Sequence, residues 1–244
     1  MRVIARLDIK QGILIKSIMF DGVKKLGDPK EFAQCYYEKG IDELLLINNT
    51  GSLYNTKIDN DLIKKIRSLK AIPIAAGGGI KSLDDAKKII DAGCDKIVIN
   101  SLIHTNSSEA EKIINCLGSA SVIGAIQFEK KKLSSEIETF YEMARENTGL
   151  NLKKCISRYR ELGVGELLLT DVSRDGIYSG LTDEIMEEIE ENKFNFPLLL
   201  SGGFKNIDEL SKYDKKISGI VVSSSFHYKK IKVEDLINFR NRNF

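Results

Sequence analysis

The stretch IVINSLIH, from Ile97 to His104, returns as IVVSSSFH from Ile220 to His227, so position 97 corresponds to position 220, a shift of 123 residues. The same shift places DELLL, residues 42–46, over GELLL, residues 165–169. An internal repeat with a period close to half of the 244 residues predicts a fold with twofold pseudosymmetry.

Short apolar runs alternate along the chain with segments of helical periodicity. The predicted strands are Val3 to Leu7, Glu43 to Ile47, Ile72 to Ala76, Lys96 to Ile99, Val122 to Ile126, Glu166 to Thr170, Pro197 to Leu200 and Gly219 to Val222. The predicted helices include Asp59 to Leu69, Leu83 to Ala92, Asn106 to Leu117, Leu150 to Leu162 and Asp183 to Glu191. Eight such units predict one (β/α)8 TIM barrel over residues 1–244, with half-repeats of about 1–120 and 121–244. An open doubly wound sheet is the alternative.

The composition is that of an ordinary globular protein, with 42% hydrophobic residues, 30% charged residues and a net charge of +2. This small charge argues against nucleic-acid binding. The N-terminal MRVIARLDIK carries charges inside its apolar stretch, so we expect neither a signal peptide nor a membrane span, and a cytoplasmic protein. The four cysteines are irregularly spaced, which predicts reduced, mostly buried thiols. We expect no metal and no cofactor.

Glycine-rich loops follow the third and seventh predicted strands, GGG at residues 77–79 and SGG at residues 201–203. Such loops let backbone N–H groups face an oxyanion, although tight turns alone would also explain them. Because two such loops occupy symmetric positions, we predict two phosphate sites on opposite sides of one mouth. The predicted phosphate-binding residues are Gly78, Gly79, Asn100, Ser101, Gly176, Gly202, Gly203, Ser223 and Ser224.

Asp8 ends the first predicted strand, and its counterpart in the second half is Gln127. Alternate side chains of a barrel strand face the interior, so Arg6 and Asp8 share one orientation. An inward carboxylate at this rim is a candidate general base; a structural partner of Lys10 or Lys16 is the alternative. The Gln127 amide neither releases nor takes up a proton near pH 7, so it cannot act as a general acid.

Polar residues at other strand ends are candidates to orient a substrate. The loop at residues 170–176 is dense in polar groups, and a salt-bridged turn is the alternative interpretation. The predicted substrate-orienting residues are Asn48, Thr170, Asp175 and Ser201.

Taken in order, the motifs LDIK, DELLLINNTGS, GGGI, DKIVINS, GELLLTDVSRDG, SGG and SSSFH resemble the cyclase subunit family of imidazole glycerol phosphate synthase along almost the whole chain. The chain looks more distantly like the phosphoribosyl-formimino isomerase of the same pathway. The resemblance implies a (β/α)8 barrel and a bis-phosphate substrate. It also implies a glutaminase partner at the N-terminal face of the barrel, and ammonia conducted through the barrel to the opposite rim.

The resemblance carries over unevenly at the catalytic rim. Asp8 falls on the family's first catalytic aspartate, and Lys16 on a lysine of its mobile loop. The second catalytic aspartate falls on Gln127, and two further family aspartates fall on Asn48 and Ser173. Three acidic positions of the family are therefore neutral in this chain.

The opposite end of the barrel retains the family pattern. Arg2, Glu43, Lys96 and Glu166 match the ring of charges that gates ammonia entry, although structural salt bridges are an alternative role. Arg6 departs from the pattern, because the family has a small residue there and an inward guanidinium would narrow the conduit.

These features favour an ammonia-conducting subunit whose own cyclisation chemistry is lost or altered and which serves another amidation, such as that of surface-polysaccharide amidino sugars. The alternative is an authentic histidine-pathway cyclase in which Asp175, or a water held by Gln127, replaces the missing acid. A sugar-phosphate isomerase is disfavoured, since an isomerase handles no ammonia and the charge ring is intact.

Overall fold

Eight parallel strands of the chain close into a ring. The computed structural model describes residues 1–131, 136–183, 185, 188, 196–213 and 217–243. Its strands are β1 (Arg2–Lys10), β2 (Ile13–Ile18), β3 (Asp21–Gly27), β4 (Glu43–Asn48), β5 (Ile74–Gly77), β6 (Lys96–Ile99), β7 (Val122–Lys130), β8 (Ile137–Tyr141), β9 (Glu146–Asn151), β10 (Glu166–Asp171), β11 (Leu198–Ser201) and β12 (Gly219–Val222). The ring runs β1-β4-β5-β6-β7-β10-β11-β12 and returns to β1 through the pairing of Arg2 with Gly219. The predicted barrel is confirmed, and the open sheet is excluded.

Helices between the strands cover the barrel. They are α1 (Pro29–Glu38), α2 (Gly51–Tyr54), α3 (Asn60–Arg67), α4 (Leu83–Asp91), α5 (Ser101–Thr105), α6 (Ser107–Leu117), α7 (Leu152–Glu161), α8 (Ser224–His227) and α9 (Val233–Asn243), with 3-10 turns at Ser119–Ser121 and Ile207–Tyr213. Four predicted helices are confirmed within two residues at each end; most of the fifth, Asp183 to Glu191, lies outside the described residues. The helix α1 was not predicted, although Asp28 caps it by accepting a hydrogen bond from Lys30 N at 2.8 Å and Pro29 begins it.

The barrel interior is a layer of apolar side chains, one from each strand of the ring. This layer consists of Ile4, Leu45, Ala75, Val98, Ile123, Leu168, Leu199 and Val221. The charged side chains of Arg2, Glu43, Lys96 and Glu166 lie on its N-terminal side, whereas both charged and neutral polar side chains lie on its C-terminal side, where barrel enzymes place their active-site loops. The layer therefore separates two polar ends of the barrel.

Two crossed hydrogen bonds connect the halves. Tyr36 Oη lies 2.6 Å from His227 Nδ1, and Tyr159 Oη lies 3.1 Å from His104 Nε2. The shift of 123 that relates the repeated motifs also relates Tyr36 to Tyr159 and His104 to His227. Each half thus supplies a tyrosine to the histidine of the other half.

The cysteine prediction is wrong in one respect. Cys94 and Cys155 are buried, but Cys35 and Cys116 are exposed because they lie on the outer faces of α1 and α6. None of the four forms a disulfide. No described helix combines the length and apolarity needed to cross a membrane.

Candidate active site

Two separate spaces at the C-terminal end of the barrel contain most of the predicted site residues. The larger, of about 400 Å³, lies over β4 to β7 and contacts the predicted residues Asn48, Gly78, Gly79, Asn100, Ser101, Gln127 and Thr170. The smaller, of about 20 Å³, lies over β11 and β12 and contacts Asp175, Gly176, Ser201, Gly202, Gly203, Ser223 and Ser224. A space of this size holds about one water molecule. The sequence predicted that the two glycine loops face one mouth. In the structure they face two separate spaces.

A row of four alternating charges separates these spaces. Arg6 Nε donates to Asp8 Oδ1 at 2.8 Å, Lys16 Nζ lies 3.6 Å from Asp8 Oδ2, and the same ammonium donates to Asp175 Oδ2 at 2.7 Å. All four side chains are buried. Neither Asp8 nor Lys16 lines either space. Lys16 is thus a structural partner of Asp8, which is the alternative that the sequence left open.

The electrostatics of this row hold Asp8 in its ionised form. Burial alone would raise the pKa of the Asp8 carboxyl, but the charges of Arg6 and Lys16 outweigh burial and lower the pKa below its ordinary value. A carboxylate whose pKa is lowered in this way is a weaker proton acceptor. The row therefore opposes the general-base role predicted for Asp8.

The hairpin of β2 and β3 closes over the row. Phe20, at its turn, packs with Met143 and Val172 in a small apolar cluster, and its ring lies 5.8 Å from Arg6 Cζ. Met19 N donates to Asp175 O at 2.8 Å, which fastens the turn to the loop after β10. The hairpin was not predicted, and it carries Lys16 into the interior.

Gln127 has a structural partner. Its Oε1 accepts a hydrogen bond from Ala144 N at 2.7 Å, within the turn that joins β8 to β9. That turn carries Glu142, which lines the larger space and whose backbone N donates to Ser101 Oγ at 3.3 Å. Glu142 is the carboxylate that the sequence interpretation missed. It follows β8, which is not one of the eight strands of the ring, and the β8–β9 hairpin brings it to the mouth.

The glycine loops are built alike. Gly78 and Gly79 have φ of +96° and +80°, and Gly202 and Gly203 have φ of +100° and +82°. A Cβ on any of them would overlap a neighbouring backbone oxygen, that of Asn48 in the case of Gly78. Glycine is therefore required by the packing of both loops, whether or not an anion binds.

The loop after β10 is a salt-bridged turn. Ser173 Oγ donates to Asp171 Oδ1 at 2.7 Å, and Arg174 Nε lies 3.4 Å from Asp171 Oδ2. Thr170 contacts the larger space, whereas Asp175 contacts the smaller one. The loop divides its polar groups between the two spaces.

The four predicted gate residues meet at the N-terminal end of the barrel. Arg2 donates from Nη1 to Glu43 Oε2 at 2.6 Å and from Nη2 to Glu166 Oε1, and Lys96 Nζ lies 2.9 Å from Glu166 Oε2. The two carboxylates are buried, and burial raises the pKa of Glu43 despite the nearby cations. These residues form one connected chain of ion pairs, Glu43–Arg2–Glu166–Lys96, beneath the apolar layer; it is called the charge ring below.

No group of three or more histidine, cysteine, aspartate or glutamate residues in the described part of the chain is arranged to hold a metal ion. Both histidines are engaged instead with hydroxyl groups, and His227 is buried. His227 Nε2 lies 3.1 Å from Ser223 Oγ, and burial lowers the pKa of His227 to about 4. His227 is therefore neutral near pH 7.

Comparison with known proteins identifies the family. The sequence profile of the histidine biosynthesis protein family matches residues 2–232. The imidazole glycerol phosphate synthase subunit HisF of Lactococcus lactis subsp. cremoris strain SK11 is 33% identical over 237 residues, covering 96% of this chain and 91% of that protein. HisF of Sulfolobus acidocaldarius is 33% identical over 242 residues, covering 99% and 96%. The barrel, the duplicated glycine loops and these matches show that the chain belongs to the histidine biosynthesis protein family and is HisF-like.

Proposed function

We propose that this chain is the barrel subunit of a glutamine-dependent amidation complex. A glutaminase docks on the N-terminal face, ammonia passes the charge ring and the apolar layer, and it reaches an acceptor other than the histidine-pathway bis-phosphate. Amidino sugars of surface polysaccharides are acceptors of the expected kind. A cytoplasmic location follows from such a role.

The observation that carries the proposal is the contrast between the two ends of the barrel. At the mouth, Asp8 is held as a carboxylate in ion pairs with Arg6 and Lys16, and Gln127 accepts a hydrogen bond from Ala144 N. A general acid typically contributes ~10² to 10⁴-fold to a rate, and an amide supplies none of it. Cyclisation at this mouth is therefore expected to be slow.

At the N-terminal end, the charge ring and the apolar layer remain suited to the passage of a small neutral molecule. Arg2 and Lys96 both pair with Glu166, so the ring is held by mutual ion pairs. The layer above it presents only aliphatic side chains. Arg6 lies beyond this layer, since its Nε bonds Asp8 at the rim.

The test is to co-express the chain with a glutaminase subunit from the same organism and to measure glutamine hydrolysis by the purified mixture. We expect a stable complex and at least a tenfold higher rate of hydrolysis than for the glutaminase alone, ~1.4 kcal/mol in activation free energy. Absence of both a complex and any stimulation would contradict the proposed docking.

A second candidate is the authentic cyclase, and one observation favours it. Glu142 lines the larger space, where a carboxyl group could take the place of the missing acid. If the chain is a cyclase, it has substantial cyclase activity and Glu142→Gln abolishes it. If the chain has the function proposed above, cyclase activity is low both before and after the substitution.

A further inference from the structure

Arg6 is a buried arginine whose hydrogen-bonding capacity is mostly unused. Its guanidinium carries five N–H donors, and Nε uses one of them on Asp8 at 2.8 Å. Only 5% of the residue is exposed. Among the described residues, no side chain or backbone oxygen accepts a hydrogen bond from Nη1 or Nη2.

These free donors belong to a residue that lines the larger space. Arg6 contributes to its wall together with the apolar side chains Ile47, Ala125 and Leu168, while Gly79 and Ser101 line it as well. Nη1 and Nη2 are not among the fully buried side-chain atoms that lack a hydrogen-bond partner, so they reach the space itself. A ligand in this space that supplies acceptors would bind these donors by charge-assisted hydrogen bonds. The space is thus equipped for a small ligand with an anionic group.

The charges around Arg6 indicate which anion fits. The guanidinium is a planar fork that matches the two oxygens of a carboxylate. Asp8 already occupies Nε, so a dianionic phosphate at the same guanidinium would lie close to a negative charge. A carboxylate carries a single charge and meets less repulsion.

We propose that the larger space binds a phosphorylated carboxylic acid, with its carboxylate on Nη1 and Nη2 of Arg6 and its phosphate at the loop of Gly78 and Gly79. Arg6 is then the residue that selects an acid over an uncharged analogue. The inference goes beyond the proposed function and does not require the glutaminase, because it concerns binding to the chain alone. Failure of one therefore leaves the other untouched.

Matched probes test this selection by calorimetric titration at one salt concentration. 3-Phosphoglycerate is compared with glycerol 3-phosphate, and 6-phosphogluconate with sorbitol 6-phosphate, so that each pair differs in a carboxylate against an alcohol. We expect the acid of at least one pair to bind tenfold or more tightly than its alcohol. Equal affinities within both pairs, or binding of no probe, would overturn the proposal.

Variants assign the selectivity to Arg6. Arg6→Gln is expected to weaken binding of the preferred acid at least tenfold and to change binding of its alcohol less than twofold. Arg160→Gln removes the same charge from an exposed position of α7 and is expected to alter neither. Arg6→Lys keeps a cation beside Asp8 and should retain the fold while losing most of the selectivity. An unchanged preference in both Arg6 variants, or tighter binding of fructose 1,6-bisphosphate than of either acid, would contradict the proposed carboxylate site.

Discussion

Arg6 Nε donates a hydrogen bond to Asp8 Oδ1 at 2.8 Å, and both side chains are buried. The pair lies at the rim where the sequence indicated Asp8 as a candidate general base, with pairing to Lys10 or Lys16 as the alternative. It connects through Lys16 to Asp175, so the four charges of the rim form one row of ion pairs, while Asp8 Oδ2 accepts no hydrogen bond from the described residues. This pairing, together with the neutral Gln127, is the physical basis of the proposal that the chain does not cyclise the bis-phosphate.

The first prediction is that restoring the acid alone is insufficient. We expect Gln127→Asp to leave bis-phosphate turnover low, because Asp8 remains paired with Arg6. The double variant Arg6→Ala, Gln127→Asp should raise turnover by ~10²-fold or more. The measurement is product formation with ammonium salt in place of glutamine. Full recovery in the single variant would show that the Arg6 pair does not hinder the base.

The second prediction concerns the charge ring. Glu166 accepts from both Arg2 and Lys96, so Glu166→Gln weakens two ion pairs at once. We expect the free energy of unfolding to fall by about 1–3 kcal/mol in urea titrations. Glu161→Gln, an exposed site on α7, should change it by less than about 0.5 kcal/mol. Equal stability of the two variants would indicate that the ring ion pairs contribute little to folding.

The third prediction separates backbone strain from steric overlap in the glycine loops. Gly79 and Gly118 have nearly equal φ, +80° and +81°. A Cβ at Gly118 meets nothing within 4 Å, whereas at Gly79 it would overlap Thr56 O. We expect Gly118→Ala, at φ +81° and ψ +147°, to cost about 1–3 kcal/mol from its backbone conformation alone, and Gly79→Ala to cost clearly more. Thermal unfolding of both variants measures the difference, and similar losses would mean that the loop adjusts easily.

The fourth prediction is a loss of stability in mild acid. Burial lowers the pKa of both His104 and His227 from 6.5 to about 4. Between these values the unfolded chain binds more protons than the folded one, so stability is present above pH 6.5 and is lost as the pH falls toward 4. Each histidine contributes a slope of about 1.4 kcal/mol per pH unit in this window. The lowered pKa of Asp8 changes stability with pH only near and below the ordinary pKa of 3.8. Asp8 therefore does not contribute to the pH dependence between pH 5 and pH 7.

Urea unfolding at pH 7 and pH 5 measures this effect. His104→Gln and His227→Gln, each compared with the unchanged chain, should flatten the pH dependence. A stability that is constant between pH 7 and pH 5 in the unchanged chain would show that the histidines are not held neutral.

Sequence reasoning predicted the barrel because buried apolar runs determine its strands. Lys96–Ile99 and Gly219–Val222 have the same bounds in the prediction and in the structure. The β2–β3 hairpin was not predicted because lysines interrupt the apolar pattern of its strands. Its turn also gives no sequence signal, since Met19 and Phe20 have positive φ, which such residues rarely adopt.

Most residues of the candidate site could be predicted from the sequence, but the hydrogen bonds and ion pairs between them could not. The periodicity of β1 indicated that Arg6 and Asp8 share an orientation, but their hydrogen bond depends on side-chain rotamers that a sequence does not specify. The amide of Gln127 makes it no candidate for a general acid on sequence alone, but its partner Ala144 lies across a hairpin that was not anticipated. Glu142 was missed for the same reason.

We propose that the mouth does not cyclise the histidine-pathway bis-phosphate, and turnover of that bis-phosphate tests this most directly. The purified chain is assayed with saturating ammonium salt beside HisF of Lactococcus lactis under identical conditions. We expect a rate at least ~100-fold below that of the relative, because the amide of Gln127 supplies no general acid. A rate within tenfold of the relative would contradict the claim.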